Sequence, residues 1–274
     1  MEKDQADHPA HAAPVRLAFR VSYHGSSFFG SQMQASGRTV EGEFIAACQR
    51  LSLFEDWRKA NVQFAGRTDR GVHAIGQVAA LSTDSPERAI RTINTQLPPD
   101  CWCTGYAVVP PAFHPRYDAG KRTYRYYFAE LPAGIETMDR AAIKFVGNHN
   151  FTNFARIEGR NPYRTVLAAR VAREDGFAYL EVTAESFLWH QVRCMATALL
   201  RVGNGEALES SIDDLLTAEA VRPLQPAPAE GLILWDTDCG VRWIPVPAGE
   251  RSSRFLKELV RHHTLMAKIG NVLK

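Results

Sequence analysis

The run Phe64-Ala65-Gly66-Arg67-Thr68-Asp69-Arg70-Gly71-Val72-His73-Ala74-Ile75-Gly76-Gln77-Val78 is polar and rich in glycine. It stands between two largely apolar stretches, Val62-Gln63-Phe64 and Val78-Ala79-Ala80-Leu81. That order predicts a strand, a tight loop through Gln77 and a second strand. The glycines let the backbone turn sharply or approach a ligand closely. Between the first two of them sit Arg67, Thr68, Asp69 and Arg70. A carboxylate flanked by guanidiniums favours its charged form, because opposite charge stabilises it. Asp69 is therefore placed to act as an anionic nucleophile or base beside groups that bind phosphate. The same residues, taken alone, also suit a solvated loop in which Asp69 closes an Asx-turn.

Working outward, Val15 to Tyr23 alternates apolar and polar residues with the period of a half-buried strand. Thr39 precedes a helical stripe of Val40, Phe44, Ala47, Cys48 and Leu51 and serves as its N-cap, with Glu41 and Glu43 suited to the positive end of the helix dipole. Ser85-Pro86 opens a second helix, and Cys101 to Val109 returns as a strand with both of its thiols on one side. The order strand, helix, strand, strand, helix, strand predicts an α+β fold in which helices flank a mixed, mostly antiparallel sheet. Pro110-Pro111 then marks a boundary. We read residues 1–14 as a disordered leader, 15–112 as an N-terminal α+β subdomain carrying the Asp69 loop, and 113–274 as a C-terminal one, with the site in a cleft between them.

In the second half, Arg116, Lys121, Arg122 and Arg125 interleave with Tyr117, Tyr124, Tyr126, Tyr127 and Phe128. Guanidiniums hold phosphates and aromatic faces stack on exposed bases, so this composition suits single-stranded or loop RNA. It equally suits a sheet edge with half-buried tyrosines. Gly147 to Ala155 reads as a polar-aromatic loop, Glu174-Asp175-Gly176 as the turn of a hairpin, and Leu188, Val192, Met195, Leu199 and Val202 as the apolar stripe of a helix. Arg193 lies just off that stripe. Arg251 to Leu273 predicts a terminal amphipathic helix with a solvated basic face.

The totals exclude several classes. The chain has 274 residues, enough for a substantial core, and no apolar run of membrane-spanning length. A net charge of +2 permits an RNA partner without demanding one. Five scattered cysteines argue for a reducing, cytoplasmic setting and against a disulfide framework. There is no P-loop, dinucleotide fingerprint or zinc spacing.

Gly66-Arg67-Thr68-Asp69-x-Gly71-Val72-His73-Ala74 resembles the signature of the TruA family of tRNA pseudouridine synthases, with Arg70 where that family usually has alanine. Tyr23 to Gln34 is similar to the family's Tyr-Asp-Gly-x-x-Phe/Tyr-x-Gly-Trp/Phe-Gln-x-Gln segment, with His24 and Ser31 as departures. Phe113 to Tyr126, Gly147 to Phe151, Phe187 to Gly205 and Pro228 to Leu232 resemble further family motifs. The resemblance implies Asp69 as the catalytic carboxylate, Arg193 as its charge partner and Tyr124 as the ring under the target uracil. It implies that Arg67 helps push the uridine out of the stem, with Arg70, His73, Arg116 and Arg122 as further RNA contacts. It implies a homodimer acting on the anticodon stem-loop of tRNA, around positions 38 to 40. The isomerisation calls for no cofactor and no metal. Two other readings share the residues: an RNA-binding protein without catalysis, and a carboxylate-dependent hydrolase of a small sugar, for which Asp69 has no matched acidic partner.

Overall fold

The computed structural model describes residues 13–217, 224–247 and 249–274. The leader expected over 1–14 lies, but for its last two residues, outside the described residues. In chain order the elements are β1 (Val15–Tyr23), α1 (Val40–Arg50), β2 (Gln63–Phe64), β3 (His73–Thr83), α2 (Pro86–Gln96), β4 (Cys101–Val108), β5 (Lys121–Tyr127), α3 (Ile135–Ile143), β6 (Gly147–Asn150), β7 (Tyr163–Glu174), β8 (Phe177–Ala184), α4 (Gln191–Gly203), α5 (Ser210–Thr217), β9 (Leu232–Asp238), β10 (Ile244–Pro245) and α6 (Glu250–Val272).

The strands form one sheet in the order β10-β4-β1-β3-β9-β5-β8-β7-β6, with β2 paired to β3. Every pair is antiparallel except β3 with β9, which meet where His73 faces Ile233 and Ala74 faces Leu234. Local signals set many of these elements. Thr39 Oγ1 accepts from the Gly42 N–H at 3.2 Å and caps α1. Pro86 stands at the start of α2. The β7–β8 turn places Asp175 and Gly176 at positive φ (49° and 85°), the geometry that an Asp-Gly hairpin turn requires.

Two expectations of irregular chain are corrected. β3 begins at His73, so the polar loop after Phe64 ends five residues sooner than its composition suggests. The cause is pairing on both sides, with β1 (Tyr23 opposite Ala74, Val21 opposite Gln77) and with the distant β9, whose backbone Gly76 approaches so closely that a side chain there would collide with Trp235 and Asp236. Gly147 to Asn150 is likewise a strand, because β7 offers it a free edge.

Two large cores lie on one face of the sheet. Leu17, Phe19 and Val21 of β1 pack with Phe44 of α1 and Ile93 of α2. Leu180 and Val182 of β8 pack with Met138 of α3 and with Met195 and Leu199 of α4. Leu232 and Leu234, two apart on β9 and hence on the same face, belong one to each core. Tyr124 packs against both, at their junction. A smaller core on the opposite face joins Ala18, Val78, Ala80 and Ala107 to Phe113.

Arg16 is 2% exposed on that opposite face and has no carboxylate partner among the described residues. Its guanidinium donates to the carbonyls of Phe113 and Asn61 (3.2 and 2.6 Å) and to Gln63 Oε1 (3.0 Å), tying β1 to β2 and to the start of the second half. Replacing it with methionine keeps the length and orphans those acceptors, each costing about 1–3 kcal/mol when buried. Arg16→Met is expected to lower the urea unfolding free energy by about 3 kcal/mol with little change in slope.

Candidate active site

Asp69 lies in the loop between β2 and β3, and that loop is clamped from below. The Thr68 N–H donates to Ser31 Oγ at 2.8 Å, and the Ser31 N–H donates to the Thr68 carbonyl at 3.1 Å. Tyr23 Oη and Thr68 Oγ1 are 2.8 Å apart and share a hydrogen bond, and burial pushes the Tyr23 phenol well above its usual pKa. Ser31, buried to 1% exposure, is thus a backbone cap, a task that a bulky aromatic ring in its place would not perform.

The carboxylate is held by α4 and its approach. Arg193 Nη1 donates to Asp69 Oδ2 at 3.2 Å, while Arg193 Nε donates to the Ala227 carbonyl at 2.6 Å and so cannot swing away freely. Trp189 Nε1 donates to the other oxygen, Oδ1, at 2.9 Å. His190 Nε2 is 3.4 Å from Oδ2. Burial lowers the His190 pKa despite the pull of Asp69, and Arg193 and Arg156 add repulsion. His190 is therefore a neutral neighbour, and the charge partner of Asp69 is Arg193. The Trp189 and His190 contacts escape the sequence reading because α4 starts at Gln191. The preceding residues approach the carboxylate through a left-handed turn at His190 (φ 67°), which no periodicity announces.

Tyr124 and Asp69 line the same cleft, whose volume is about 1080 Å³. The Tyr124 ring meets Phe187 edge-on at 5.2 Å. Its phenol pKa is pushed up to about 12, mainly by burial, with Arg122 opposing and Asp69 adding to the rise. The phenol is thus protonated at neutral pH. The cleft lining contains Arg67, Arg70, Arg116, Arg122, Arg160 and Arg193 against Asp69, Glu158 and Glu185. Among the described residues, Arg67, Arg70, Arg116 and Arg160 have no carboxylate partner. Arginines outside the cleft, such as Arg38, Arg125 and Arg140, are paired with acids. An excess of unpaired guanidiniums facing one trench suits a polyanion.

Not every expected site residue reaches the cleft with free donors. Arg122 gives its donors to the carbonyls of Glu185, Ala65 and Arg116 at 2.8, 3.1 and 2.8 Å, so it braces the cleft walls. His73 lies behind the loop. Its Nδ1 accepts from the Gly25 N–H at 2.9 Å and its ring lies 4.6 Å from that of His24. Arg125 points to the other face of the sheet, stacked on Trp235 at 3.7 Å and bonded to Glu181 at 2.6 Å.

The sequence matches the family model described as "tRNA pseudouridine synthase" over residues 20–118 and 141–238. It is 56% identical to tRNA pseudouridine synthase A of Methanoculleus marisnigri over 256 residues, covering 93% of this chain and 94% of that one. The chain belongs to the TruA family of tRNA pseudouridine synthases. Relatives of the same name from Methanosphaerula palustris and Pyrococcus furiosus are 50% and 36% identical, over 94% and 81% of this chain and 92% and 83% of theirs. As a TruA-family member the protein is an isomerase that forms pseudouridine in tRNA. No helix among the described residues is long and apolar enough to cross a membrane.

Two outcomes are expected. Trp189→Phe keeps the ring and removes one hydrogen bond to the carboxylate. Single-turnover kinetics should show the chemical step slowed about tenfold, with tRNA affinity within about twofold. The His73 pKa is lowered to about 4 by burial and by His24, from an ordinary value of 6.5. The unfolded chain therefore binds the proton more readily, so this contribution is complete above pH 6.5 and is lost as pH falls toward 4. Thermal melts across that window should show the loss, and His73→Asn, which retains an acceptor for Gly25, should flatten it.

Proposed function

We propose that this synthase acts on the anticodon stem-loop of tRNA, around positions 38 to 40, by a carboxylate-dependent route that needs no cofactor or metal. The observation that carries the reading is the meeting of three groups distant in sequence: Asp69, held by Arg193 at 3.2 Å, opens into the cleft whose floor carries Tyr124. Isomerisation breaks the N1–C1′ bond, turns the uracil and forms a C5–C1′ bond. C5 loses its proton and N1 gains one, so no atoms or electrons are supplied from outside. Each route to this outcome starts from an ionised carboxylate, which attacks the base or the sugar or removes a sugar proton. Arg193 donates to that carboxylate and holds it in place. Tyr124 packs beneath the uracil, and its phenol relays a proton by hydrogen bonding, without ionising.

A paired uridine must leave its stack before it can react. Arg67, exposed at the cleft and without a carboxylate partner among the described residues, is suited to fill the space it vacates. Arg70 and Arg116 offer free guanidiniums to the phosphates, whereas Arg122 and His73 act by shaping the walls and the loop. The division into subdomains at 112/113 is part of this proposal; Val72 and Leu234 cross it between the two cores, β10 pairs with β4, and Phe255 of α6 meets His24. The protein works as a homodimer in the cytoplasm, the first by family resemblance and the second in keeping with five free thiols.

Purified protein incubated with unmodified tRNA transcript, then labelled with carbodiimide and read by primer extension, should give new stops at uridines of the anticodon stem-loop. Asp69→Asn should give none while retaining tRNA binding within about tenfold. Full activity of Asp69→Asn would refute the carboxylate mechanism, and stops confined to another arm would refute the position.

A further inference from the structure

The cleft mouth beside Asp69 carries a stacked pair that the chemistry above does not use. The Arg70 guanidinium lies over the Phe29 ring, 4.2 Å from its centroid. Phe29 is 44% exposed, while its neighbour Phe28 is buried beneath Arg38. An exposed phenylalanine is unfavourable in water, yet this one is held in place. Its N–H donates to the Arg38 carbonyl at 2.8 Å and its carbonyl accepts from Gln34 Nε2 at 2.5 Å. Gly37, at φ 92°, fits closely against its ring, where a β-carbon would collide. Both residues line the cleft, and Arg70 has no carboxylate partner among the described residues.

We propose that Phe29 and Arg70 form a nucleotide-stacking subsite, which takes the base adjacent in the RNA to the reacting uridine. The Phe29 ring backs the guanidinium on one side, and Arg70, exposed at the cleft, offers the other side to a nucleobase. The N–H edges then reach the adjoining phosphate. Arg70 follows Asp69 directly in the chain, about 3.8 Å away between α-carbons, which sets this base beside the one that reacts. The inference rests on the reading that the cleft takes RNA at Asp69. The two fail differently, because an error there leaves Asp69→Asn active.

The test is steady-state release of tritium from tRNA labelled at uridine C5, at fixed salt. Arg70→Ala and Phe29→Leu should each raise KM about five- to tenfold with kcat within about twofold, the size of one base stack. Phe29→Leu keeps apolar bulk against Gly37, which guards against loss of folding. Because the pair acts as a unit, the double variant should be little worse than either single one. Phe29→Tyr should match the parent, and Arg70→Lys, which keeps charge without a planar face, should match Arg70→Ala. In a tRNA carrying 2-aminopurine next to the mapped uridine, the parent should quench emission and Arg70→Ala should not. An unchanged KM in both single variants, full function in Arg70→Lys, or a fall in kcat at constant KM would each overturn the proposal.

Discussion

The contact between Asp69 and Arg193 joins residues 124 apart in the chain, and the rest of the cleft is arranged to permit it. The loop bearing Asp69 leaves Phe64, which packs on the N-terminal core, and ends at Val72, which lies in the C-terminal core together with the helix bearing Arg193. A carboxylate and a guanidinium, both mostly withdrawn from water, leave each other strongly unfavourable if separated. Their meeting therefore fixes how the two helical layers stand over the shared sheet. Trp189 on one carboxylate oxygen and Ala227 on the far side of the guanidinium leave the pair a single geometry.

The sheet makes that meeting possible. Strand β9 is hydrogen-bonded to β3 on one side and to β5 on the other, so the Asp69 loop and the Tyr124 strand flank one element. Side-chain alternation then turns Tyr124 and Tyr126 to the helical face, while Thr123 and Arg125 face away. Arginines sort by the same geometry. On the outer face Arg125 neutralises an acid while Arg16 ties backbone carbonyls, Arg122 in the cleft wall braces carbonyls, and Arg67, Arg70 and Arg116 at the mouth have no carboxylate partner among the described residues.

Where local chemistry decides, the sequence is legible. The alternation of β1, the Thr39 cap, the Pro86 start and the Asp175-Gly176 turn are all set by residues within a few positions of each other. The Asp69 loop and the Arg193 helix announce themselves through motif resemblance. What stays hidden depends on remote pairing or on side-chain direction. The early start of β3 requires β9, about 160 residues later. Trp189 reaches Asp69 only through the left-handed turn at His190. The alternation of β5 already sets Arg122 and Arg125 on opposite faces, but not that Arg122 gives its donors to backbone carbonyls and braces the cleft.

The lone parallel pairing of the sheet also bears on how the protein is made. His73 emerges from the ribosome long before Ile233, so the strand that follows the Asp69 loop waits with one edge open. Arg193 is likewise absent while Asp69 is already exposed. The N-terminal layers can collapse early, but the cleft between Asp69 and Arg193 closes only in the last stage of synthesis. A truncated chain ending before β9 would hold nearly every motif and still lack an assembled site.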